Sequence, residues 1–126
     1  LEPATHREGR CAAAVASLEI LRGPECLQQI ERIVAQHAVF LEHIKTNPFI
    51  KDVRQTGTIL AIELNTAENT SYTNTIKARA QQFFLDNGIL IRPLGNIIYL
   101  LPPYCISEED LQKVYGVIEK ALIFLK

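Results

Sequence analysis

The sequence predicts an α/β fold of the α+β type: a two-layer sandwich in which helices cover a small antiparallel sheet. Three observations predict it. Two pairs of short runs rich in β-branched and aromatic residues are each joined through a glycine turn, at Thr56-Gly57-Thr58 and at Gly95-Asn96, so the strands group into hairpins. Four longer stretches carry apolar residues at three- and four-residue spacing, the mark of helices with one buried face. The resulting order is helix, helix, strand, strand, helix, strand, strand, helix. At 126 residues, 48% apolar and 21% charged, the chain has the length and composition to bury one core.

Residues 1–10 are polar, charged and without period, and read as an N-terminal arm or junction ahead of a domain spanning 11–126. Cys11 to Arg22 is helical by its alanine content, and Gly23-Pro24 ends it, with the proline opening the next helix. From Glu25 to Thr46, Leu27, Ile30, Val34, Leu41 and Ile44 fall on one face of a long amphipathic helix. His37 and His43, six apart, do not share a helical face and read as surface or rim residues without a metal. Asn47-Pro48 stops the helix. Val53-Arg54-Gln55 and Ile59 to Leu64 form the first hairpin, in which Arg54 and Glu63 supply a structural ion pair. Asn65 to Thr73 is a polar loop, and Asn74 to Asp86 a third helix with Ile76, Ala80, Phe83 and Phe84 inward, capped by Asn87-Gly88. Ser107-x-x-Asp110 makes a capping-box-like start to a last helix, with Leu111, Val114, Ile118, Leu122 and Leu125 inward.

The second hairpin, Gly88 to Ile106, carries the chemistry. A two-residue Gly95-Asn96 loop pairs Leu94 with Ile97, Pro93 with Ile98 and Arg92 with Tyr99. Pro93 qualifies this register: lacking an N–H, it belongs at an edge, in a bulge or in a longer loop. Arg92 is the only charge in the strands and Tyr99 the only phenol, and two readings of them stand. Arg92 is an internal ion-pair or exposed edge residue, or it is a fork of N–H donors for a ligand carboxylate, with Tyr99 lining the same pocket.

Ile91-Arg92-Pro93, Gly95, Tyr99, Pro102-Pro103-Tyr104 and Ile106-Ser107 resemble the C-terminal part of the class III pyridoxal-phosphate-dependent aminotransferases. Cys11-Ala12-Ala13-Ala14 and the pattern from Val53 to Glu63 extend the resemblance over most of the chain from residue 11. Within that class the similarity is greatest to the branch that transfers an amino group from S-adenosylmethionine to 8-amino-7-oxononanoate in biotin biosynthesis. The resemblance implies the small-domain fold of the fold-type I transferases and a cytoplasmic homodimer. It also implies pyridoxal 5'-phosphate as cofactor, bound mainly by a large domain outside this chain. It assigns the substrate carboxylate to Arg92, the active-site wall to Tyr99, and a phosphate contact across the dimer to Thr5. Arg7-Glu8 stand where the family has Asn-Pro after that threonine.

Other features bound the function. A net charge of −1 gives no footprint for nucleic acid and no pull toward an anionic membrane, and no apolar run approaches the ~20 residues of a membrane span. Cys11, Cys26 and Cys105 are scattered and read as small packing residues. The chain holds no methionine and begins Leu1-Glu2, which predicts a piece of a longer polypeptide or a processed form. None of its six lysines matches the family's glycine-flanked Schiff-base lysine, so the expected object is an aminotransferase domain without activity of its own. The rivals are a class III enzyme for another ω-amino acid and a free-standing module that binds a small carboxylate.

Overall fold

The computed structural model describes residues 2–126, with side chains from His6 onward. Helix α1 (Glu2–Arg22) already begins within the expected arm, and α2 (Pro24–Ile44) follows after Gly23, with Pro24 in its first turn. Strands β1 (Ile50–Thr56) and β2 (Ile59–Leu64) form the first hairpin. Then come α3 (Ile76–Asp86), β3 (Ile97–Leu100) and α4 (Glu108–Phe124). The sheet has three antiparallel strands in the order β1-β2-β3.

Local chemistry explains the breaks. Gly57, with φ +58°, is the first residue of the two-residue loop between Thr56 and Ile59, where type II′ geometry needs a positive φ. Gly88, with φ +79°, ends α3 in a Schellman motif: Ile89 N–H donates to the Phe84 carbonyl at 2.8 Å and Gly88 N–H to that of Leu85 at 3.0 Å. The Ser107 hydroxyl accepts from Asp110 N–H at 3.1 Å and so caps α4.

Alternation along the strands divides the sheet into two faces. Leu60, Ile62, Leu64, Ile98 and Leu100 point to the core, where they meet Ile33 and Phe40 of α2, Ala80 and Phe84 of α3, and Leu111 and Ile118 of α4. The opposite face carries Asp52, Arg54, Ala61, Glu63, Ile97 and Tyr99.

Several expectations are corrected. The buried stripe of α2 is Cys26, Ile33, His37, Phe40 and Ile44, turned from the expected one, and Leu27 is half exposed. His37 is fully buried, whereas His43 is exposed and pairs with Glu119 at 2.7 Å. Of the cysteines only Cys26 packs inside; Cys11 and Cys105 are exposed. Residues 89–93 form no strand, and the expected Arg92–Tyr99 and Pro93–Ile98 pairings are absent. Only the Leu94–Ile97 bridge remains: Pro93, whose ring holds φ near about −65° rather than the roughly −140° of an antiparallel strand, takes the chain off the ladder, and β3 pairs with β2.

Candidate functional site

The segment 90–94 is extended without being a strand. Ile91 and Pro93 are buried, while Leu90, Arg92 and Leu94 face outward. Two apolar anchors therefore hold Arg92 between them and turn its side chain away from the core. The turn that follows is tight. Leu94 N–H donates to the Ile97 carbonyl at 2.9 Å and Ile97 N–H to that of Leu94 at 3.1 Å, with Gly95 at φ +63°. Three residues beyond Asn96, Tyr99 stands on the open face of β3, 40% exposed and opposite Ala61. Arg92 and Tyr99 thus flank one turn, and no hydrogen bond joins them among the described residues.

The cations of this region differ in one respect. Arg54 holds Asp52 at 2.7 Å and approaches Glu63 at 3.7 Å, and Lys51 lies 3.8 Å from Glu63. The Arg54–Glu63 pair expected from sequence is present. Glu63 is buried, so its charge needs these partners. Arg92 is exposed and makes no ion pair among the described residues, a placement that fits an edge position as well as a fork of N–H donors open to a ligand.

The loop from Asn65 to Thr75 is more ordered than a polar loop need be. Asn74 is buried, with Nδ2 donating to Thr66 Oγ1 at 2.7 Å and Oδ1 accepting from Ile76 N–H at 3.2 Å. Asn96 is also buried, and its Nδ2 donates to the Leu64 carbonyl at 2.9 Å and to Thr70 Oγ1 at 3.1 Å. Sequence reasoning read Asn96 only as a turn residue. A mixed-polarity loop before a Gly-Asn turn carries no signal that the two will dock.

A groove of about 510 Å³ between α2 and α4, lined among others by Gln36, Phe40, Gln112 and Tyr115, includes neither Arg92 nor Tyr99. Beneath it His37 bridges three elements. Its Nε2 donates to the Thr58 carbonyl at 2.9 Å, so its Nδ1 accepts from the Tyr115 hydroxyl at 2.5 Å. Burial lowers the His37 pKa from its ordinary value, partly offset by the bond to Thr58, and burial raises that of Tyr115. This is a neutral structural network.

An antiparallel sheet with one face covered by helices makes this an α+β domain, with Arg92 and Tyr99 exposed on either side of one turn. The chain belongs to the class III aminotransferases: the family described as Aminotransferase class-III matches residues 9–122. Over 112 residues it is 38% identical to the adenosylmethionine-8-amino-7-oxononanoate aminotransferase of Synechococcus elongatus, covering 89% of this chain and 26% of that protein. The enzyme of the same name from Buchnera aphidicola is 35% identical over 112 residues, covering 89% of this chain and 24% of the relative. The PMP-bound form of an aminotransferase from Vibrio fluvialis has the same fold, with a TM-score of 0.79 at 24% identity over 91% of this chain and 26% of that one. The chain thus spans about a quarter of the length of the curated relatives it matches.

Pyridoxal phosphate in an aminotransferase needs a lysine amine for its aldehyde and an acid against its ring nitrogen. All six lysines here are exposed, as are Asp52, Asp86 and Asp110, and Asp52 is engaged by Arg54. The described residues do not build that cradle. The Thr5 side chain, expected at the cofactor phosphate, lies outside the described residues.

Proposed function

We propose that this chain is the C-terminal domain, residues 11–126, of a pyridoxal-phosphate-dependent aminotransferase. That enzyme transfers an amino group from S-adenosylmethionine to 8-amino-7-oxononanoate, giving 7,8-diaminononanoate for biotin biosynthesis. It acts as a cytoplasmic homodimer, and the cofactor, held by the remaining chain, supplies the electron sink for amino transfer. The relatives' names at 35–38% identity support the substrate pair. Exposed Val15, Leu18 and Leu21 along α1 support packing against further protein.

The observation that carries the reading is Arg92, exposed, without an ion pair among the described residues and held outward by buried Ile91 and Pro93. Its guanidinium binds the oxo acid's carboxylate, which fixes one end of the substrate, and Tyr99 walls the same space. This chain's part in the reaction is binding and orientation. In the complete enzyme, Arg92→Ala is expected to lower kcat/KM for the oxo acid. Truncating one partner of a desolvated charge pair costs roughly 2–5 kcal/mol, on the order of 30- to several-thousand-fold. Arg92→Lys is expected to recover only part, since an ammonium lacks the fork. Single-turnover rates of each half-reaction check this; an alanine variant as fast as wild type toward the oxo acid refutes the carboxylate role.

A further inference from the structure

Gly95 and Asn96 lie midway between Arg92 and Tyr99, and both are locked to a loop far away in sequence. A Cβ on Gly95 would lie 1.7 Å from the Ser71 carbonyl oxygen and 3.1 Å from the Tyr72 Cα, so the loop backbone rests directly on the turn. Asn96, only 1% exposed, holds that loop and the end of β2 together. Its Nδ2 reaches the Leu64 carbonyl and Thr70 Oγ1, its Oδ1 accepts from Ser71 N–H at 3.4 Å, and its backbone carbonyl accepts from Leu64 N–H at 2.8 Å. Thr70 is held in turn by Lys51 Nζ at 3.3 Å, which ties the clamp to β1.

We infer that Asn96 is a positioning residue for the substrate carboxylate: its buried amide clamps the 65–75 loop onto the turn and thereby fixes where Arg92 stands relative to Tyr99. The inference rests on the carboxylate reading of Arg92. The physical ground is that Arg92 lies outside any strand ladder. Behind it are only the packing of Ile91 and Pro93, and ahead of it only the Leu94–Ile97 bridge. Register at that bridge is therefore held by what grips Gly95 and Asn96, and a guanidinium fork binds a carboxylate with two bonds only when its origin is fixed. Asn96 touches neither the substrate nor Arg92 and acts through the turn.

The test uses the complete enzyme with two substrates, 8-amino-7-oxononanoate and its methyl ester, which removes the charge Arg92 recognises. Asn96→Ala is expected to reduce kcat/KM for the acid on the order of 10- to 100-fold, the scale of an ångström-sized misplacement, mainly through KM. The ester is expected to change by less than about two-fold, and Asn96→Ala is expected to add nothing in an Arg92→Ala background. Thr70→Val, which removes one bond of the clamp, is expected to show the same acid-selective loss in smaller measure and serves if Asn96→Ala does not fold. Equal losses for acid and ester, no loss for either, or full additivity with Arg92→Ala overturns the inference while leaving the role of Arg92 intact. If Arg92→Ala itself does not distinguish acid from ester, the carboxylate reading falls and this inference with it.

Discussion

Tyr115→Phe removes one oxygen from the middle of the molecule and little else. The Tyr115 ring stacks on Phe40 at 4.2 Å and 14°, which phenylalanine preserves. What is lost is the 2.5 Å bond to His37 Nδ1, and that nitrogen, on a fully buried ring, has no other hydrogen-bond partner among the described residues. Orphaning a buried acceptor costs about 1–3 kcal/mol. With a urea m-value of about 1–3 kcal/mol per molar for a small domain, the unfolding midpoint is expected to fall by roughly 1 M. The same network sets a pH dependence. The folded pKa of His37 lies below its ordinary 6.5 because of burial, so above about pH 6.5 both states are neutral there and the stability is fully present. Below it the unfolded chain takes up a proton that the folded one refuses, and stability is lost as the pH falls through the folded pKa, with a slope of up to about 1.4 kcal/mol per pH unit. The cation whose charge acts on the Tyr115 hydroxyl is Arg32, which donates to Gln36 and to the Ile106 carbonyl. His43, with its exposed partner Glu119, is best removed from the comparison by a His43→Gln background. Since the Tyr115 hydroxyl bonds the neutral imidazole, the phenylalanine variant is expected to lose stability less steeply in acid. Urea melts from about pH 7.5 to about pH 5.5 measure both effects. A Tyr115→Phe variant within about 0.5 kcal/mol of wild type, the range of a neutral surface change, refutes the reasoning.

Two more outcomes follow from the geometry. Gly95→Ala combines a left-handed φ with a methyl group driven into the Ser71 carbonyl, and is expected to cost more than the roughly 1–3 kcal/mol of backbone strain alone, read from the midpoint of a thermal or urea melt. The 126-residue chain mixed with pyridoxal phosphate and reduced with borohydride is expected to show partial labelling spread over its six exposed lysines, by intact mass and peptide mapping; a single labelled lysine at full occupancy contradicts this.

What was legible in the sequence was written in short-range chemistry. Gly23-Pro24, Gly57, Asn87-Gly88, Gly95-Asn96 and Ser107 each mark a boundary through the conformation or hydrogen bond their own residue provides, and the structure has a break or cap at every one. The Leu94–Ile97 pairing was legible for the same reason, and the failure one step further back comes from Pro93, whose fixed φ was equally visible. His37 was hidden by its polarity. Counting apolar residues selects Leu27, Ile30, Val34, Leu41 and Ile44, but the buried positions are 26, 33, 37, 40 and 44, a seam that includes a histidine because Thr58 and Tyr115 satisfy both its nitrogens. Those partners lie 21 and 78 residues away, beyond any periodicity.

The site divides along the same line. Arg92 and Tyr99 are proposed as site residues because their spacing is local and matches a family pattern, yet the strand pairing expected between them is absent, and on that proposal something else must hold them in relation. A ladder would have fixed Arg92 through its own backbone bonds. Without one, its position depends on the turn, and the turn depends on a buried amide and a missing Cβ pressed against a loop some 25 residues earlier in the chain. On the carboxylate reading, such an arrangement separates the residue proposed to meet a ligand from the residues that aim it. Changes in the 65–75 loop can then alter which carboxylate is reached while Arg92 itself stays unchanged, whereas a strand-borne arginine could be re-aimed only by shifting the sheet that also forms the core.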